Sequence, residues 1–165
     1  MSYGYAITAN LLQMAQGYTI FTAGGKLMPA TIYKQTQTPK GTQVIKPETA
    51  KQMREMMVSI TRKGGTGQDG AVPGYDVAAK TGTARKASSG GYSDKYRASF
   101  VGFAPAKNPR LIVAVSIDEP HGKGYYGGTV AGPAFREIMA GGLKKLGVKP
   151  TYVNAEPAAN VAKKR

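Results

Sequence analysis

At 165 residues, 41% of them hydrophobic, the chain is long enough for one domain with a buried core, and its composition argues against wholesale disorder. The lack of cysteine excludes disulfides, thiolate zinc sites and cysteine nucleophiles, and the single histidine, His121, counts against histidine metal clusters and a histidine-rich catalytic triad. A formal charge of +14 first suggests a polyanion partner, so where that charge lies matters.

Thr8 to Ala23 spaces Leu11, Leu12, Ala15, Tyr18, Thr19 and Thr22 at helical intervals, which predicts an amphipathic helix capped by Thr8 and ended by Gly24-Gly25. Thr31 to Gln37 alternates weakly and is β-like, before a turn at Thr38-Pro39-Lys40-Gly41. Lys46-Pro47-Glu48 opens a second helix, with Pro47 in the tolerated first turn and Glu48 favourable to the helix dipole. Its expected core face is Ala50, Met53, Met56, Met57 and Ile60, and it ends near Lys63-Gly64-Gly65. Gly64 to Gly74, with five glycines and a proline, is expected to be a mobile loop.

Three antiparallel strands are predicted next: Tyr75 to Lys86 as an exposed edge, Tyr96 to Ala104, and Arg110 to Ile117. Ser88-Ser89-Gly90-Gly91 makes the first connection and Pro105-Ala106-Lys107-Asn108-Pro109 the second. The third strand is nearly all apolar, as a central strand covered on both faces would be, and so calls for more sheet beside it. Upstream residues, a dimer or an extended N-terminal segment would supply that cover. Its run Leu111-Ile112-Val113-Ala114-Val115 is the longest aliphatic one, far short of the ~20 residues that cross a bilayer. Gly132-Pro133 starts a last helix with Phe135, Ile138, Met139, Leu143 and Leu146 inward and Gly147 as its stop. Lys149 onwards is rich in Pro, Ala and Asn, so residues 1–150 are expected as the folded part and 151–165 as a disordered basic tail. No basic-then-apolar leader opens the sequence, and export is not legible from its first residues.

Lys80-Thr81-Gly82-Thr83 places a cation and two hydroxyls on the first of these strands, an anion-binding ledge. Six basic residues and one acidic lie from Lys144 to the end, and five and one between Lys80 and Arg97, so much of the positive charge falls in the tail and around the ledge. Phosphate backbone, a carboxylate substrate, or an anionic cell-wall or membrane surface would each suit it. No RNP, helix-turn-helix or zinc signature accompanies the charge, and nucleic acid is not expected as a partner. His121, in the turn Glu119-Pro120-His121-Gly122, reads as an exposed loop residue. Asp118 and Glu119 are consecutive on an extended chain, so they are expected to point apart rather than act as an acid/base pair.

Four segments, in order and spacing, carry a family resemblance: Thr8-Ala9-Asn10-Leu11-Leu12-Gln13-Met14-Ala15 with Gly24-Gly25-Lys26, then Ala79-Lys80-Thr81-Gly82-Thr83-Ala84-Arg85-Lys86, Gly102-Phe103-Ala104-Pro105, and Tyr125-Tyr126-Gly127-Gly128. From Tyr3 to about Pro150 the chain resembles the C-terminal half of the transpeptidase domain of septal class B penicillin-binding proteins of Gram-negative bacteria. The resemblance implies an α/β (α+β) fold, an antiparallel sheet flanked by helices as in penicillin-binding proteins and serine β-lactamases, here incomplete because upstream strands and helices are missing. It implies a peptidoglycan D,D-transpeptidase without cofactor or metal, acting through a serine acyl-enzyme on stem peptides ending in D-Ala-D-Ala, with β-lactams as mimics of the acyl donor. In the whole protein it implies anchoring by an N-terminal segment at the periplasmic face of the inner membrane, divisome partners, and association with the upstream half of the same domain.

On this resemblance Thr81 and Thr83 hold the substrate carboxylate, Lys80 supplies positive field and relays a proton to the leaving D-alanine, and Gly82 lets the ligand approach the backbone. The Thr83 N–H forms half of an oxyanion hole. Arg85, two places on and hence on the same strand face, assists carboxylate recognition, or is a solvated edge-strand arginine. Tyr96, Tyr125 and Tyr126 line the pocket wall, or cap the end of the sheet. The family's Ser-x-x-Lys and Ser-x-Asn motifs are absent: Ser2, Ser59, Ser88, Ser89, Ser93, Ser99 and Ser116 all fail both patterns. Ser93-Asp94-Lys95 matches the second only in its first two letters and is expected in a loop, while Thr31 and Thr83 precede Lys34 and Lys86 at the right spacing but open no buried apolar helix. No nucleophile is therefore assigned, and the chain alone is expected to be inactive. Other readings are a D,D-carboxypeptidase or β-lactamase-like hydrolase, a non-catalytic polyanion-binding module, and dimerisation through the open sheet edge.

Overall fold

The structure, a computed structural model, describes residues 7–88, 91–122 and 124–152. In chain order come α1 (Leu11–Thr22), β1 (Lys26–Leu27), β2 (Thr42–Gln43), α2 (Pro47–Val58), β3 (Ala78–Ser88), β4 (Gly91–Ala104), β5 (Leu111–Asp118) and α3 (Gly127–Lys145). The predicted antiparallel trio is present in the order β3-β4-β5. The strands alternate their side chains between two apolar layers. On one face Val77, Ala79, Phe100, Ala104 and Val113 pack against Phe135, Met139 and Leu143 of α3. On the other, Ala78 and Phe103 pack against Met57 of α2 and Tyr18 and Phe21 of α1. Each fully buried phenylalanine or leucine stabilises the fold by about 1.5–3 kcal/mol through burial.

Local chemistry shifts several predicted boundaries. The cap of α1 is Asn10 and not Thr8, because Asn10 Oδ1 accepts the Gln13 N–H at 2.8 Å while Gln13 Oε1 accepts the Asn10 N–H at 2.9 Å. Thr31 to Gln37 forms no strand, and its apolar members Ile32 and Tyr33 are exposed; the pairing falls instead on Lys26–Leu27 with Thr42–Gln43. Met56 is exposed as well, leaving Ala50 and Met57 as the buried residues of α2. The glycine-rich stretch after α2 is a packed element and not a bare loop. It carries a 3-10 turn at Gln68–Gly70, and Gly67, Gly70 and Val72 are buried against the sheet. Any side chain at Gly70 would run into the Phe100 ring.

Among the described residues β4 lies between β3 and β5, so the apolar third strand, β5, has β4 as its one strand neighbour there. β5 is apolar on both sides because α1 covers one face and α3 the other. β4 also begins earlier than predicted, at Gly91, so Ser93-Asp94-Lys95 lies within the strand, at a bulge opposite Lys86 where the register slips between Arg85↔Tyr96 and Ala87↔Tyr92.

α3 starts five residues before the predicted Gly132, at Gly127, and carries Pro133 inside, with Ile138 and Leu146 exposed rather than inward. Gly147, at φ +66, does stop the helix: its N–H donates to Lys144 O and the Val148 N–H to Leu143 O, a Schellman arrangement. The chain then returns to the body. Tyr75 OH donates to Val148 O at 2.6 Å, and the Thr151 N–H donates to Gly74 O at 2.8 Å. Residues 151 and 152, expected with the tail, are therefore held on the fold, while 153–165 lie outside the described residues, as do residues 89–90 of the expected first connection.

Candidate active-site wall

β3 is an edge strand among the described residues, and the motif occupies its first half. Alternation puts Thr81, Thr83 and Arg85 on the α3 face, opposite Phe100, Ala98 and Tyr96 of β4, and turns Lys80 to the other face. Lys80 is exposed, and its Nζ donates to the carbonyl of Thr81 at 2.8 Å, which leaves it further donors.

The two threonine hydroxyls meet the start of α3. The Gly127 N–H, at the first turn of that 19-residue helix, donates to Thr83 Oγ1 at 3.1 Å. Accepting that bond leaves the Thr83 O–H free to donate outward, beside the positive end of the helix dipole. Thr81 Oγ1 lies 3.3 Å from Thr66 Oγ1, a hydroxyl carried by the glycine-rich segment. Gly127 and Gly128 make this junction possible. A Cβ on Gly127 would enter the space of the Ser99 and Gly82 carbonyl oxygens, and one on Gly128 that of the Thr66 carbonyl.

Farther along the strand an aromatic stack stands over Arg85. Tyr96 and Tyr125 stack with centroids 4.1 Å apart and planes 15° apart, and Tyr126 adds a tilted ring 4.6 Å from Tyr125. The Arg85 guanidinium sits 5.8 Å from the Tyr96 ring centre and also bonds Ser93 O and the Asp94 carboxylate. Tyr96 shares the sheet face of Thr81, Thr83 and Arg85, and the β3–β4 ladder continues past it to Ser88↔Gly91. The Tyr126 hydroxyl beside that of Tyr125, followed by the neighbouring ring systems, raises the Tyr125 pKa.

One expectation fails here. Asp118 and Glu119 do not point apart: Lys86 Nζ reaches Asp118 Oδ2 at 3.0 Å and Glu119 Oε1 at 2.6 Å. Glu119 adopts φ +47, which breaks the extended alternation on which that expectation rested. Lys95 and Arg97 complete the cluster at 2.9 and 3.1 Å from Glu119 and Asp118. Hydrogen bonds from Lys86 lead in holding both carboxyls below their usual range, and the same bonds raise Lys86. The pair is an ion-pair anchor rather than an acid/base couple. His121 is exposed, as expected.

Sequence reasoning missed Thr66 and the role of the Gly127 N–H. The available signal for Gly127 and Gly128 was a pair of residues without side chains at a helix start, which permits close backbone approach; nothing marked Thr66.

A family model described as "Penicillin binding protein transpeptidase domain" matches residues 1–140. The chain belongs to this family. Among transpeptidase relatives, it is 57% identical over 163 residues to the probable peptidoglycan D,D-transpeptidase PenA of Neisseria flavescens, covering 98% of this chain and 40% of that protein. It is 37% identical over 150 residues to the peptidoglycan D,D-transpeptidase FtsI of Escherichia coli (strain K12), covering 90% and 26%. The apo structure of the TP domain from Burkholderia pseudomallei penicillin-binding protein 3 superposes with a TM-score of 0.86 at 47% identity, covering 93% of this chain and 47% of that one. The chain thus spans between a quarter and a half of the length of these transpeptidase relatives.

Proposed function

We propose that this chain supplies one wall of the active site of a septal peptidoglycan D,D-transpeptidase and that it is inactive alone. The observation that carries the proposal is the bond from the Gly127 N–H to Thr83 Oγ1, which turns the hydroxyl donor outward beside Thr81 and the positive helix end. A carboxylate fits that surface. Thr81 and Thr83 bind the terminal carboxylate of a D-Ala-D-Ala stem, Gly82 keeps the backbone approachable, and Lys80 adds positive field and relays the proton to the leaving D-alanine. The Thr83 N–H takes half of the oxyanion. Arg85 extends the cationic field, and Tyr96, Tyr125 and Tyr126 bound the substrate or β-lactam side chain. No cofactor is required.

The nucleophilic serine comes from the upstream half of the domain, since no serine here begins Ser-x-x-Lys. The edge of β3, together with exposed Leu11 and Leu12 on α1, supports a surface that this half covers. The whole protein works at the periplasmic face of the inner membrane with divisome partners, as the name FtsI among its relatives suggests. The names of the relatives favour a transpeptidase over a carboxypeptidase or β-lactamase-like hydrolase.

Fluorescent penicillin tests the proposal. The chain alone acquires no covalent adduct by mass spectrometry, whereas the whole protein is labelled on a serine outside these residues and loses about 100-fold or more in acylation rate with Lys80→Ala. A stoichiometric adduct on the isolated chain overturns it.

A further inference from the structure

The face that carries α2 holds a cavity of about 500 Å3, remote along β3 from the aromatic stack. Lys51 and Arg54 reach it from α2, Arg62 from the turn after that helix, and Lys107 from the β4–β5 connection. Among the described residues none of these four cations has an ion-pair partner. The contrast with the other end of the sheet is sharp. There Arg85, Lys86, Lys95 and Arg97 are all engaged by Asp94, Asp118 or Glu119. With Glu55 and Asp76 in the same lining, cations outnumber carboxylates by four to two, and an anionic group in the cavity offsets that excess.

The lining also selects among anions. Glu55 and Asp76 stand in the same cavity and likewise lack an ion-pair partner among the described residues, so a uniformly anionic phosphate polymer meets repulsion there. A polypeptide brings N–H donors for those carboxylates, acidic side chains for the cations, and apolar groups for Val58 and Ala106. Arginine forks are suited to bidentate carboxylate binding. The shape agrees. A second cavity of about 270 Å3 is lined in part by the same Val58, Arg62 and Asp76 and also by Tyr152, so the two concavities adjoin along this face.

From this geometry we propose that the α2 groove docks an acidic peptide segment of a partner protein, with its carboxylates on Arg54 and Arg62. The test is fluorescence anisotropy of the chain, at physiological ionic strength, with a labelled short peptide alternating glutamate and leucine. Saturable binding is expected. Arg54→Gln with Arg62→Gln weakens it at least about tenfold, whereas Lys34→Gln with Lys40→Gln, an equal loss of charge on the loop before β2, leaves it unchanged. Circular dichroism checks that each variant folds, and Lys51→Gln with Lys107→Gln, at exposed positions, gives the same reading should the arginine variant fail to fold. The proposal is overturned by absence of saturable binding, by equal loss in the groove and loop variants, or by equal binding of a lysine–leucine peptide. Tighter binding to phosphatidylglycerol vesicles or single-stranded DNA than to the acidic peptide also overturns it.

Discussion

Two backbone atoms at the head of α3 set the geometry of the motif wall. The Gly127 N–H orients Thr83, and the bare Cα lets the helix sit on the carbonyls of Gly82 and Ser99. Gly127→Ala forces the helix away from β3, with an expected loss of about 1–3 kcal/mol as for other overpacked sites, measured by urea unfolding. An unchanged midpoint would refute the close-approach account. Lys86 makes a second residue-scale prediction. Because its partners Asp118 and Glu119 are held below their ordinary values of 3.8 and 4.5, their contribution is present above those values and fades as pH falls through the depressed ones. Lys86, raised above 10.5, contributes fully below that value and loses its effect as pH rises past it. Melting temperature should therefore fall less between pH 5 and strong acid in Lys86→Met than in the unsubstituted chain, although Arg97 and Lys95 keep part of the slope. A steeper acid loss in the variant would contradict the anchor.

At the scale of elements, helices and strands were legible where periodicity and burial agree. Phe135, Met139 and Leu143 recur at helical spacing and are buried, and Phe100 and Phe103 fall on opposite faces of β4 as alternation requires. What escaped the sequence was decided by partners distant in the chain. The apolar pattern of β5 marks two covering helices as well as it would mark two neighbouring strands, so pattern alone could not give strand order. The α3 start was obscured by Gly127 and Gly128, poor helix formers that are tolerated because the site needs their small size. Similarly, the expected cap is Thr8, and the reciprocal bond with Gln13, three residues on, makes it Asn10. Asn10→Ala should cost about 0.5–2 kcal/mol and Thr8→Ala almost nothing, a comparison that paired thermal melts can make. Equal effects would return the cap to Thr8.

Across the whole molecule, Phe100 joins the layers: its ring is fully buried, lies 4.5 Å from that of Phe135, and covers the glycines of the packed segment. Phe100→Ala should remove about 3–5 kcal/mol, a large share of the ~5–15 kcal/mol of an ordinary domain. A loss under ~1 kcal/mol in denaturant titration would show that the layers hold without it. The bonds from Tyr75 to Val148 and from Thr151 to Gly74 carry a consequence of their own. They buckle residues 148–151 to the end of the segment that bears Thr66, and Thr66 touches Thr81. Opening of residues 148–151 thus loosens the underside of the Lys80–Thr83 strand first, so the two regions should exchange their amide hydrogens as one cooperative unit.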